Sequence, residues 1–139
     1  MNLQKQITQA PVRTIQIFIS LVAIIATTGS LYLSLGLGLV PCELCWYQRI
    51  LMYPLVPISI YSLYKKELFS PLILTLSSIG MIISYYHSFI QLAPDKSVCS
   101  SICSAVLYSV GPFTIPNLSA IAFTLISASV VVGYYFQTN

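Results

Sequence analysis

Charge is nearly missing from this chain: six Lys or Arg and three Asp or Glu make up 6% of 139 residues. A soluble domain carries about 25% charged residues. Hydrophobic residues reach 57%, and mean hydropathy is +0.86. A chain this poor in charge cannot cover its own core in water, which excludes an ordinary soluble domain. The net charge of +3 is small and its basic residues are scattered, which excludes a nucleic-acid-binding surface. No internal repeat and no low-complexity tail divide the sequence, so one integral membrane domain, residues 1–139, is expected. Histidine and tryptophan occur once each, whereas ten tyrosines are available for an interfacial aromatic belt. No cysteine is left over. The four fall as two close pairs, Cys42/Cys45 and Cys99/Cys103.

Four apolar stretches are long enough to span a bilayer, which needs about 20 helical residues. They cover approximately 15–35, 45–64, 69–91 and 117–136. The fold class expected is an all-α membrane protein, a four-transmembrane-helix bundle. The first run exceeds the roughly 7–15 apolar residues of a signal peptide and lacks a clear A-x-A site after it. It is expected to stay as a signal anchor. Breakers mark the long loop 92–116: Pro94, Asp95, Gly111, Pro112 and Pro116. Lys5, Arg13, Lys65 and Lys66 fall on one side if the spans alternate, against Lys96 and Arg49 on the other. The positive-inside bias then puts both termini and the "KKE" turn in the cytoplasm. Both cysteine pairs land on the extracytoplasmic face of a multi-pass cell-membrane protein, where disulfides persist.

The stretch "PCELCWYQR" carries the densest chemistry. Pro41 suits the first helical position. Cys42 and Cys45 then stand at i and i+3 on one helix face, a spacing compatible with a disulfide. A helix amino terminus favours a thiolate. Arg49, four residues past Cys45, shares that face one turn deeper. Alone, Arg49 reads equally as a snorkelling anchor; the cysteines beside it favour a site. His87 lies about 10 Å below the outer boundary at helical rise, the same layer as Arg49. Alone it reads as a packing residue. Together the two are placed to hold a polar headgroup whose apolar tail lies among the helices, and a quinone fits that description.

Cys99 and Cys103 lie in the wet stretch "DKSVCSSIC", followed by "AVLYSVGPF", which is able to lie on the membrane surface. They are either a static staple or a disulfide open to attack by a partner thiolate; a second pair nearby favours exchange. A zinc site built from all four cysteines is the competing arrangement. Glu43 and the membrane-edge position speak against it, so no metal is expected.

Over nearly the whole chain these features resemble the disulfide-bond formation protein B family (DsbB/BdbC). The shared features are four spans, "CELCWYQR" opening the second, a histidine near the outer end of the third and a cysteine pair before the fourth. The close spacing of Cys99 and Cys103 is similar to the short Gram-positive members. The resemblance implies a quinone-dependent thiol–disulfide oxidoreductase with Cys42, Cys45, Cys99 and Cys103 as catalytic residues. Its implied partner is an extracytoplasmic thioredoxin-fold protein like DsbA or BdbD. Its implied acceptor is a membrane quinone, menaquinone or ubiquinone, at Arg49 and His87. Cys99 or Cys103, with Cys99 preferred, would form the mixed disulfide, and Cys45 would face the quinone. Two rivals are a vitamin K epoxide reductase-like protein, whose C-x-x-C follows its loop pair, and a scaffold with two structural disulfides.

Overall fold

The computed structural model describes residues 2–68, 70–93 and 109–138, with side chains described from residue 10 onward except those of residues 70 and 110. Cys99, Cys103 and Lys96 lie outside the described residues. Among the described residues four helices run α1 (Asn2–Leu31), α2 (Glu43–Lys65), α3 (Ser70–Leu92) and α4 (Ile115–Thr138). A single π-helical turn, Tyr32–Gly36, extends α1. A two-residue hairpin, β1 (Ser109–Val110) and β2 (Phe113–Thr114), precedes α4, with Val110 opposite Phe113. The part of "AVLYSVGPF" that is described therefore forms an antiparallel turn.

Among the described residues three helical segments are long and apolar enough to cross a membrane: Ala10–Gly36, Pro71–Leu92 and Ile115–Thr138. The α2 helix has 23 residues but carries Glu43, Gln48, Arg49, Pro54 and Pro57, and it is not among the three. The expected stretch 45–64 is nonetheless one continuous helix. It lies between α1 and α3, and contacts of α4 with α3 and α1 close the ring of four.

The bundle is apolar outside and partly polar within, the inverse of a soluble domain. Leu21, Ile25, Ile50, Ile82 and Val131 are exposed, while Gln16, Ser62, Ser77, Ser84, His87 and Ser127 are buried. Buried polar groups must pair in a bundle that offers no water. Gln16 Nε2 donates to the Ser62 backbone oxygen at 3.3 Å and its Oγ at 3.1 Å, tying α1 to the C-terminal end of α2. Ser84 and Ser119 hydroxyls meet at 2.6 Å, and Ser127 donates to Ser77 at 2.9 Å. Between those two bonds the Phe123 ring seats over Gly80. The spacing 77, 80, 84 on α3 facing 127, 123, 119 on α4 makes a small-residue seam with one aromatic knob. Phe123, Ile19, Leu55, Ile73, Ile126 and Val130 form the apolar core.

Candidate functional site

The site is built on the first turn of α2. The helix begins two residues later than expected from Pro41: Glu43 is its first residue, Cys42 is the N-cap, with φ −72° and ψ 170°, and Pro41 lies outside. The Cys42 Sγ accepts from the Cys45 backbone N–H at 3.4 Å, the task a serine usually performs at this position. The Cys42 carbonyl accepts the first helical bond, from Trp46 at 3.0 Å. Capping thus fixes the cysteine backbone before any chemistry is considered.

Cys42 and Cys45 are not bonded to each other; their sulfurs lie 3.0 Å apart. A disulfide bond is about 2.05 Å long, so closure requires a movement of about 1 Å. The two sulfurs face different surroundings. Cys42 is buried, 5% exposed, and its Sγ lies 3.7 Å from Nε2 of the equally buried His87. Cys45 is half-buried and lines a cavity of about 600 Å³ between α1, α2 and α4. Cys42, which precedes the helix, has its thiol pushed up from 9.0 to about 11. The main cause is its hydrogen bond to Cys45, followed by burial; the His87 contact acts in the opposite sense. The thiolate favoured by a helix amino terminus is therefore not the resting form of Cys42. Local hydrogen bonding and desolvation outweigh the helix dipole here.

Gln48 links the two surroundings. Its amide nitrogen lies 3.1 Å from His87 Nδ1, and its Oε1 accepts from Ser119 Oγ at 3.0 Å. An amide NH₂ only donates, so Nδ1 is the acceptor and the ring proton sits on Nε2, toward Cys42. Gln48 also lines the cavity with Cys45 and Arg49. These three occupy i, i+3 and i+4 of one α2 face.

Arg49 Nη2 donates to the Ser30 carbonyl at 3.3 Å and to Ser34 Oγ. Its guanidinium carbon stands 6.0 Å from the centre of the Trp46 ring. The π-helical turn brings Ser34 to the cation, and single π turns are frequent at functional sites. The chain then leaves through Gly38, at φ +66°, a conformation that favours glycine. Arg49 and His87 do not share a chamber. Arg49 lines the cavity, whereas His87 stands behind Gln48 against Cys42.

The model of the family "Disulfide bond formation protein DsbB" matches residues 12–133. The chain belongs to the DsbB family. It is 42% identical over 106 residues to the "SPbeta prophage-derived disulfide bond formation protein B" of Bacillus subtilis, covering 72% of each chain. It is 43% identical over 112 residues to "Disulfide bond formation protein C" of the same organism, covering 76% of this chain and 81% of the relative. A "Probable disulfide formation protein" of Chlamydia muridarum is 39% identical over 114 residues, 79% of this chain and 84% of the relative. No solved structure gives a significant match.

Ser119 and Ser84 join the hydrogen-bond network of this site without having been singled out by sequence, and Gln48 stood there only within the motif "CELCWYQR". The available signal was polarity within apolar stretches. Gln48 stands one turn from Cys45, while Ser84 and Ser119 lie within the third and fourth apolar runs. The asymmetry of the thiols has a direct consequence. With Cys99 and Cys103 replaced by Ser, limiting maleimide at about neutral pH should modify Cys45 well before Cys42, as read by peptide mass spectrometry. Equal labelling would contradict the difference in burial.

Proposed function

We propose that this DsbB family protein is a four-span membrane oxidoreductase that reoxidises a thioredoxin-fold dithiol protein outside the cytoplasm and delivers the electrons to a membrane quinone. The observation that carries the reading is Cys45, half-buried, at the wall of the same apolar cavity that Gln48 and Arg49 line. A volume of about 600 Å³ is in the range of small-molecule pockets, roughly 300–1,000 Å³. Its walls are otherwise mostly aliphatic and aromatic, including Leu118, Ile121 and Phe123. An apolar chamber with a cation and an amide at one edge fits a ring bearing two carbonyl oxygens. When bound, the quinone supplies a two-electron, two-proton acceptor, menaquinone or ubiquinone.

The chain's own residues supply the rest. The loop dithiol Cys99/Cys103, once reduced by the partner, passes two electrons and two protons to the Cys42–Cys45 disulfide. One disulfide forms as the other breaks. Cys42 and Cys45, now thiols, give the same two electrons and two protons to the acceptor and close again. His87 holds a proton on Nε2 beside Cys42, and Gln48 fixes that tautomer. Arg49 binds an acceptor oxygen with donors other than those on Nη2; a guanidinium has five in all. In this reading His87 serves the sulfur and Arg49 serves the quinone.

Arg49→Ala should raise the apparent KM for a water-soluble quinone analogue by at least about tenfold, the effect of one charged hydrogen bond worth about 1.5–3 kcal/mol. Its kcat at saturation should fall less. A reduced folded yield with unchanged KM would make Arg49 a clamp on α1 and nothing more.

A further inference from the structure

We propose that the reduced Cys42–Cys45 pair and His87 form a binding site for one thiophilic divalent cation of the zinc class. Both sulfurs and a ring nitrogen of His87 lie within 4.8 Å of one another. This donor set differs from the four-cysteine arrangement weighed on sequence, because it needs nothing from the loop pair.

Geometry supports it. Tetrahedral zinc with Zn–S of about 2.3 Å and Zn–N of about 2.05 Å separates sulfur from nitrogen by about 3.5 Å and sulfur from sulfur by about 3.8 Å. Cys42 Sγ and His87 Nε2 are 3.7 Å apart, close to the first value. The sulfurs are 3.0 Å apart and must open by about 0.8 Å to reach the second. Cys45 is the half-buried member and lines the cavity, so it has room to move and gives the cation an entry path.

Charge and proton balance also fit. Two thiols each lose a proton as two metal–sulfur bonds form, and His87 contributes the lone pair of neutral Nε2. A dication with two thiolates is neutral overall, which suits surroundings where Leu44 and Ile90 pack against Cys42. Ligation through Nε2 moves the ring proton to Nδ1. Gln48 accommodates this by turning its amide, so that Oε1 accepts from Nδ1–H and the NH₂ donates to Ser119 Oγ. A hydroxyl both donates and accepts, and Ser119 can then donate to Ser84, 2.6 Å away. Such outer partners orient metal-bound histidines and strengthen binding about 10–100-fold.

The cation and the disulfide exclude each other, since both use the same sulfur electrons. Zinc-class ions would hold the pair reduced and stop turnover until chelated, a consequence that rests on the function proposed above. The binding itself does not rest on it.

The test uses the full chain in detergent with Cys99→Ser and Cys103→Ser, reduced, freed of reductant and titrated with cadmium chloride. Thiolate-to-cadmium charge-transfer absorption should saturate at one cation per chain and be reversed by a chelator. Cys42→Ser and Cys45→Ser should each weaken binding at least about tenfold, and His87→Gln should do the same with the circular dichroism unchanged. Disulfide-closed protein should give no band. Absence of a one-to-one end point, equal affinity in His87→Gln, or equal binding by the closed form would each overturn the proposal. None of these readouts involves a quinone or a protein partner, so this site and the oxidoreductase reading stand or fall separately.

Discussion

Cys45→Ser should reduce quinone-linked turnover to the uncatalysed background while leaving the fold intact. The capping bond to Cys42 Sγ comes from the backbone N–H of residue 45, and serine keeps that N–H. The side chain points into a cavity, so a slightly smaller atom leaves no new void in the core. Half-buried substitutions of this kind change stability by about 0.5 kcal/mol. Chemistry is a different matter. A serine hydroxyl neither forms a disulfide with Cys42 nor carries two electrons between a dithiol and an acceptor. Stopped-flow loss of quinone absorbance, set against circular dichroism of the same sample, separates the two. Turnover surviving in the folded variant would remove the α2 pair from the reaction.

Gly80→Val should be the most destabilising substitution in the helix seam. Even a single Cβ at position 80 would sit 2.6 Å from Phe123 Cδ1 and closer still to Cε1 and Cζ. Phe123 is fully buried and has hydrogen-bonded serine pairs on both sides of it, Ser84–Ser119 and Ser77–Ser127. The ring therefore cannot step aside along the seam without breaking one of them. Overpacking costs about 1–3 kcal/mol, and valine adds two further methyl groups to the clash. Phe123 also lines the cavity, so the same displacement narrows the chamber. A thermal midpoint several degrees lower is expected, with recovery when Phe123→Ala is added to Gly80→Ala. A double-mutant cycle should return a coupling of at least about 0.5 kcal/mol. Independent effects would mean that the ring and the glycine do not oppose one another.

The helices were largely legible in sequence because a bilayer imposes length and polarity together. The stretches 69–91 and 117–136 emerge as Ser70–Leu92 and Ile115–Thr138, nearly unshifted. The first helix was underestimated: α1 begins at Asn2 and carries Pro11 within it. Polar residues there do not look like a span, and a helix that continues beyond one leaves little periodic signal. Part of the site was legible along one helix. Cys45 and Arg49 were placed on one α2 face, and both line the cavity. Which wall each residue joins was not legible. Cys42, at the N-cap, has non-helical backbone angles, so its sulfur departs from the helical face and meets His87. Gln48 then separates histidine from cation. Periodicity along one helix cannot reveal a side chain supplied by α3 or α4, which is why Ser84 and Ser119 were missed.

Purified chain, a reduced thioredoxin-fold protein and a quinone, mixed and sampled without oxygen, test the central claim most directly. Oxidised partner and hydroquinone should accumulate one for one, and omission of the quinone should stop the reaction after the chain's own disulfides are consumed. Continued partner oxidation without quinone, or none with it, would contradict the account.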